Sequence, residues 1–145
     1  MAGTNAIAAF GTFLKIGDGG GTEVFTTIAE VRDIKGPKLT METKEVTNQS
    51  SPGAFKDYIG TVLDGGDVTF DINYIPTETT HNATAGLLAC LKNKTRRNFK
   101  LVFSDAGTTT WLFAAYVTSF DPTSAVAAEL TASITLKIAG QPTLV

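Results

Sequence analysis

Two stretches of this chain alternate apolar and polar residues without a break, and that period of two constrains the fold more than any other feature. Val68, Phe70, Ile72 and Tyr74 alternate with Thr69, Asp71 and Asn73, and Leu130, Ala132, Ile134, Leu136 and Ile138 alternate with Thr131, Ser133, Thr135 and Lys137. Successive side chains of a strand point to opposite faces, so each stretch is predicted to be a half-buried antiparallel strand with one face in a core. The other face is polar but weakly charged. Across the 145 residues there are 23 threonines against 18% charged residues, the usage expected where strands need a polar second face. Glycine and proline cluster at Gly17-Asp18-Gly19-Gly20-Gly21, Gly36-Pro37, Ser51-Pro52-Gly53 and Gly65-Gly66, punctuating the chain at the short intervals an all-β fold needs. The expected class is mainly β.

Further strands are predicted at residues 10–16, at 24–34 with an irregularity near Ala29, and at 39–46. Another has Phe99, Leu101 and Phe103 alternating with Lys100 and Val102. Residues 112–120 carry apolar groups on both faces, Leu112, Ala114, Tyr116 and Phe120 on one and Phe113, Ala115 and Val117 on the other. Such a strand is either central in its sheet or covered by another subunit. Ser104-Asp105-Ala106-Gly107-Thr108 reads as a hairpin loop, with its glycine where a positive φ is wanted. One helix is predicted over about 82–93, with Leu87, Leu88 and Leu91 as its packing stripe and Thr80 or Asn82 as its cap. The long stretch from about 47 to 66 is irregular except for a short strand at 58–63. Its polar start, including Asn48 and Gln49, suggests mobility, while Phe55, Tyr58, Ile59, Val62 and Leu63 are too apolar for a solvated linker.

Composition removes several classes of function. With 43% hydrophobic residues the chain folds, as one domain over residues 1–145. No apolar run approaches the roughly 20 residues of a membrane helix, and residues 1–10 lack the layout of a secretory leader, so a soluble chain made in a cytoplasm is expected. A single cysteine, Cys90, and a single histidine, His81, supply neither a disulfide framework nor the ligands of a zinc site. His81 has no nucleophile signature near it and reads as a surface or capping residue; Cys90 reads as a small core hydrophobe. The glycine run 17–21 is followed by a strand rather than a helix, so a hairpin turn outweighs a phosphate cradle. Asp64-Gly65-Gly66-Asp67 lacks the spaced ligands of a calcium loop and reads as a turn. Asn82-Ala83-Thr84 is a chance glycosylation match in a chain without a leader. No catalytic, cofactor or metal residue is assigned. With a net charge of −2, the one candidate for nucleic acid is Lys92, Lys94, Arg96 and Arg97, with Phe99 nearby to stack; a solvated helix end is the simpler reading.

The order of several weak motifs carries more information than any one of them. Residues 29–40 run through Val31-Arg32-Asp33-Ile34 and Gly36-Pro37 into Leu39-Thr40. A long polar loop follows, then Gly66-Asp67-Val68-Thr69-Phe70 in a strand ending at Pro76. After it come a helix with paired leucines, Phe99-Lys100-Leu101-Val102-Phe103, an aromatic strand ending Val117-Thr118-Ser119-Phe120, and a Thr-rich strand ending Gly140-Gln141-Pro142. In this order the chain resembles the lambda-type phage tail tube proteins over nearly its whole length. The resemblance implies an antiparallel β-sandwich or barrel of two packed sheets with one flanking α-helix, without the C-terminal immunoglobulin-like domain that some members carry. It implies six-membered rings stacking into a hollow virion tail, assembled in the host cytoplasm with tape measure, tail tip and tail terminator proteins. Double-stranded DNA would pass through the lumen without specific binding, and no membrane is involved. A weakly charged wall suits that passage, since lysine and arginine contacts to phosphate would hold the DNA. At least one of two sets, Thr69, Asp71 and Asn73 or Thr131, Ser133 and Thr135, is therefore expected to line the lumen, and Asn48, Gln49, Phe55, Tyr58, Ile59, Val62 and Leu63 form the expected assembly loop. Two alternatives stand beside this reading: a tube subunit of a contractile tail or secretion-like system, and a nucleic-acid module built on residues 92–97.

Overall fold

A computed structural model describes residues 3–145. Met1 and Ala2, the start of the stretch without a leader's layout, lie outside the described residues. Ten strands and one helix follow in order: β1 (Phe13–Gly17), β2 (Phe25–Thr27), β3 (Val31–Lys35), β4 (Thr40–Glu45), β5 (Tyr58–Asp64), β6 (Asp67–Asn73), α1 (Leu87–Lys92), β7 (Arg96–Val102), β8 (Thr110–Thr123), β9 (Thr131–Ile138) and β10 (Thr143–Leu144). A short 3-10 turn, Pro52–Ala54, sits between β4 and β5. Eight strands form one antiparallel sheet in the order β2-β1-β7-β8-β9-β6-β3, with β10 also on β8; β4 and β5 form a separate hairpin.

The two ends of that sheet, β2 and β3, are consecutive in the chain and only three residues apart. The Ile28 amide still donates to the Leu14 carbonyl on β1, while the Asn73 amide on β6 donates to the Glu30 carbonyl. The sheet must therefore curl back on itself, and the expected sandwich is two facing halves of one sheet. One half is β2, β1, β7 and the start of β8; the other is the end of β8, β9, β6 and β3. Between them lie the inward positions of the alternating strands, including Phe70, Ile72, Phe99, Leu101, Phe113, Ile134 and Leu136. The Phe99 and Phe113 rings stack with centroids 5.9 Å apart. Glu30 takes a positive φ at the irregularity foreseen near Ala29.

The long strand β8 is central, flanked by β7 and β9, which is why both its faces are apolar. Its two faces are not those the alternation predicts. Val117 pairs with Leu136 and Ser119 with Thr135, so Thr118 is an extra residue, a bulge that shifts the phase. Phe120 consequently leaves the Leu112 side and packs inward against Tyr74, edge to face at 5.1 Å.

Other expectations are corrected. The helix is half as long as predicted, because Asn82 spends its side-chain oxygen on the amides of Thr84, Ala85 and Gly86, holding 82–86 as turns. Thr80 is no cap; it is buried, and its hydroxyl accepts from the Ala29 amide. Of the leucine stripe, Leu87 is fully buried, Leu91 is half-buried against the core and Leu88 is half-buried. In the 104–108 loop the positive φ falls on Thr108 rather than Gly107. The Asp105 carboxylate stabilises that turn by accepting from the Thr109 amide and hydroxyl, both at 2.7 Å. His81 is neither on the surface nor a cap. It is fully buried, Nδ1 accepting from the Ile75 amide and Nε2 donating to the Ala29 carbonyl at 2.7 Å, so it ties the segment after β6 to the β2–β3 junction.

Candidate functional site

The two polar strand sets meet as direct neighbours. On the outer face, Thr69 pairs with Thr135, Asp71 with Ser133 and Asn73 with Thr131, each position half-buried or exposed. The Ser133 hydroxyl donates to the Asp71 carboxylate at 2.7 Å. Past the bulge, β8 extends the same rows with Ser119, Asp121 and Thr123, and β3 adds Lys35 beside Thr69. Sequence reasoning missed Ser119, Asp121 and Thr123. Their alternation is present in the chain, but one residue out of phase with the start of the strand.

The face carries few free cations. Lys137 lies between two carboxylates, 3.7 Å from Asp64 and 3.6 Å from Asp67. The Gly66 amide, and then Lys137, hold the Asp64 carboxyl below its usual range. With Lys137 neutralised and Lys35 the lysine left beside Thr69, a wall of hydroxyls and carboxylates offers phosphate little hold.

Two strand edges bordering this face are open. β7 pairs with β8 only up to Tyr116, and beyond it one edge of β8 has no partner strand among the described residues; the outer edge of β3 is likewise unpaired. Such edges present unsatisfied amides and carbonyls that another chain can complete.

The predicted loop is largely a hairpin. Its second strand, β5, is longer than the six residues foreseen and pairs with β4, from Thr40 opposite Asp64 to Glu45 opposite Tyr58. Both strands are exposed throughout. Residues 46–57 between them are bound by local hydrogen bonds: the Val46 amide to the Asp57 carbonyl, the Ser50 amide to the Asn48 side chain, and the Asp57 amide to the Thr47 hydroxyl. Gln49 is exposed in the same turn. Phe55 is 76% and Leu63 80% exposed, and Tyr58, Ile59 and Val62 are more than half exposed. They do not cover the core of their own subunit. Apolar groups concentrated on one projecting element make it a candidate interaction surface. The hairpin foot needs a glycine, because a Cβ on Gly66, at φ +70°, would fall 2.1 Å from the Lys38 carbonyl oxygen.

The remaining singled-out residues hold structural positions. Asp18 accepts from the Gly20 and Val24 amides in the β1–β2 turn, where the glycine run forms the hairpin expected of it. Arg97 donates to the Gly17 carbonyl at 3.0 Å, while Lys92, Lys94 and Arg96 are exposed. Burial pushes the Cys90 thiol up. Among the described residues no helix is long and apolar enough to cross a membrane.

The geometry is that of a β-sandwich carrying a weakly charged sheet face, two open edges and an apolar projecting hairpin. The family model described as lambda phage tail tube protein matches residues 18–145, and the chain belongs to that family, whose members are structural tail tube proteins. Solved structures share the fold. The tail of an empty gene transfer agent particle, refined with C6 symmetry, superposes with a TM-score of 0.77 at 19% identity, covering 97% of this chain and 99% of that one. A chain from the sheath/tube terminator of an extracellular contractile injection system gives 0.70 at 16% identity, covering 99% of both chains. The SPP1 tail tube gives 0.63 at 11% identity, covering 92% of this chain and 75% of that one. No curated protein sequence matches the chain.

Proposed function

We propose that the chain is a major tail tube subunit that forms six-membered rings, stacked into the hollow virion tail through which a long-tailed phage delivers its genome. The observation that carries this is the pairing of Thr69, Asp71 and Asn73 with Thr135, Ser133 and Thr131 into one weakly charged face bordered by two open edges. In a ring, the β3 edge of one copy completes the β8 edge of the next, a heterologous contact that closes by rotation. The shared face then lines a lumen that DNA can slide past. The hairpin, with Phe55, Tyr58, Ile59, Val62 and Leu63 uncovered, reaches a subunit of the adjacent ring. The C6 symmetry of the gene transfer agent tail supports this reading. Tape measure, tail tip and terminator proteins are its further partners; assembly takes place in the host cytoplasm.

A second reading, a tube subunit of a contractile system, is supported by the likeness to the injection-system chain. It shares the ring and lumen and differs in requiring a sheath around the tube; a sheath gene beside this one would favour it. A nucleic-acid module on residues 92–97 has less support, since Arg97 is held by the Gly17 carbonyl and the chain carries a net charge of −2. Negative-stain microscopy of the purified protein tests the proposal. Hollow tubes or six-fold rings are expected, and monodisperse monomers at all concentrations would refute it.

A further inference from the structure

Strand register places two unlike features at opposite ends of the polar half-sheet. Arg96, Tyr116, Lys137 and Asp67 form one cross-strand row, and just beyond it the chain passes through Gly65 and Gly66 into the β4–β5 hairpin. Thr123, Thr131 and Asn73 form the row at the other end, beyond which residues 124–130 turn between β8 and β9.

At the hairpin end is a cleft of about 560 Å³, walled mainly by Leu39, Met41, Leu63, Ile138 and Pro142. Its acid, Asp64, is paired with Lys137. At the other end the β8–β9 tip presents Val126, completely exposed, among Ala125, Ala127 and Ala128. The charge nearest the tip, Glu129, is bound 3.2 Å away by Arg32. Cleft and tip are thus both apolar and locally neutral.

Around them the charges divide. Glu30, Asp33, Asp121 and Glu129 cluster toward the tip row, with Arg32 the one cation among them. Lys35, Lys38 and Arg96 lie toward the cleft row, with Lys92 and Lys94 on the adjoining turn. Of the acids there, Asp64 and Asp67 share Lys137, and Glu23, which accepts from Asn98 and the Gly19 amide, is outnumbered by those cations. One end of the subunit is acidic around an apolar knob, the other basic around an apolar hole. Complementary patches at opposite ends of one molecule make a head-to-tail contact that repeats without closing, the geometry of a filament.

We infer that the β8–β9 tip of one copy seats in the hairpin cleft of the copy stacked on it, with Val126 as anchor and the basic cluster 92–96 facing the acidic end. This rests on the tube reading and names the surfaces that join its rings. It assigns the basic cluster a partner that is a second copy of the chain rather than nucleic acid.

Two variants test it in the full-length chain. Val126→Asp places a carboxylate in an apolar cleft, so the protein concentration needed for tubes should rise about tenfold or more, while the unfolding midpoint of the subunit is unchanged. A Val126→Cys/Leu63→Cys double variant, assembled and then oxidised, should give a ladder of disulfide-linked chains on a non-reducing gel, and neither single variant should. Tubes from Val126→Asp at the wild-type concentration, or oxidised tubes of the double variant without a ladder, overturn the inference. Wild-type protein that forms no tubes at all would instead overturn the tube reading beneath it.

Discussion

His81 shows how a single residue can be misread from its surroundings in the chain. Among Thr77, Glu78, Thr79 and Asn82 it has every sign of a surface position, yet it is buried because its two ring nitrogens satisfy the Ile75 amide and the Ala29 carbonyl. A leucine there would keep the volume and strand both groups. His81→Leu is therefore expected to cost about 2–4 kcal/mol, read as a lower urea midpoint with an unchanged slope. Asp105 gives a pH-dependent case. Hydrogen bonds from the Thr109 hydroxyl and amide favour its ionised form and lower its pKa. The folded pKa lies below the unfolded one, so this stabilisation is complete above the ordinary carboxylate range and disappears as pH falls through the folded value. The Thr109 amide resonance should titrate with a midpoint below that of an unstructured aspartate. A midpoint at or above that value would mean the loop does not depend on the carboxylate.

At the scale of elements, legibility in the sequence tracked how much one strand's burial is settled locally. β6 and β9 were legible because their period of two is unbroken, and so the six polar residues they place on one face were legible too. β8 was legible as a strand but not in its facing, since the Thr118 bulge depends on how β9 pairs with it, a contact 17 residues away. The hairpin was only half legible. An exposed two-stranded ribbon buries neither face, so no alternation marks it, and its pairing is specified by the turn at 46–57 and by Gly66. The helix was overextended because alanine and leucine propensity over 82–93 is locally strong and loses to the Asn82 turn. Leu87, not Leu88, is its anchor: Leu87→Ala should cost about 2–5 kcal/mol, with a smaller loss for Leu88→Ala, both measured by thermal unfolding. The hairpin carries its own prediction. Its amides should exchange fast in the free subunit and slowly in the tube, because covering Phe55, Tyr58, Ile59, Val62 and Leu63 offsets the ordering entropy only when a neighbour is present. Equal protection in the two states would contradict a role in assembly.

At the scale of the whole molecule, the subunit is incomplete at its surfaces. It has a closed core, but among the described residues it leaves unpaired edges on β3 and β8, an uncovered apolar hairpin and a face with little charge. Each is a liability in a monomer, and in a ring each acquires a neighbour or a passage to line. The claim that binds these together is that the β6–β9 polar face looks into a lumen. A cryo-EM reconstruction of tubes assembled from the purified protein tests it most directly. A six-fold tube is predicted whose inner wall carries Thr69, Asp71, Asn73, Thr131, Ser133 and Thr135, with Lys35 at the border of that face and no other unpaired lysine. A tube with that face on its outer surface, or with an inward ring of lysines other than Lys35, would contradict it.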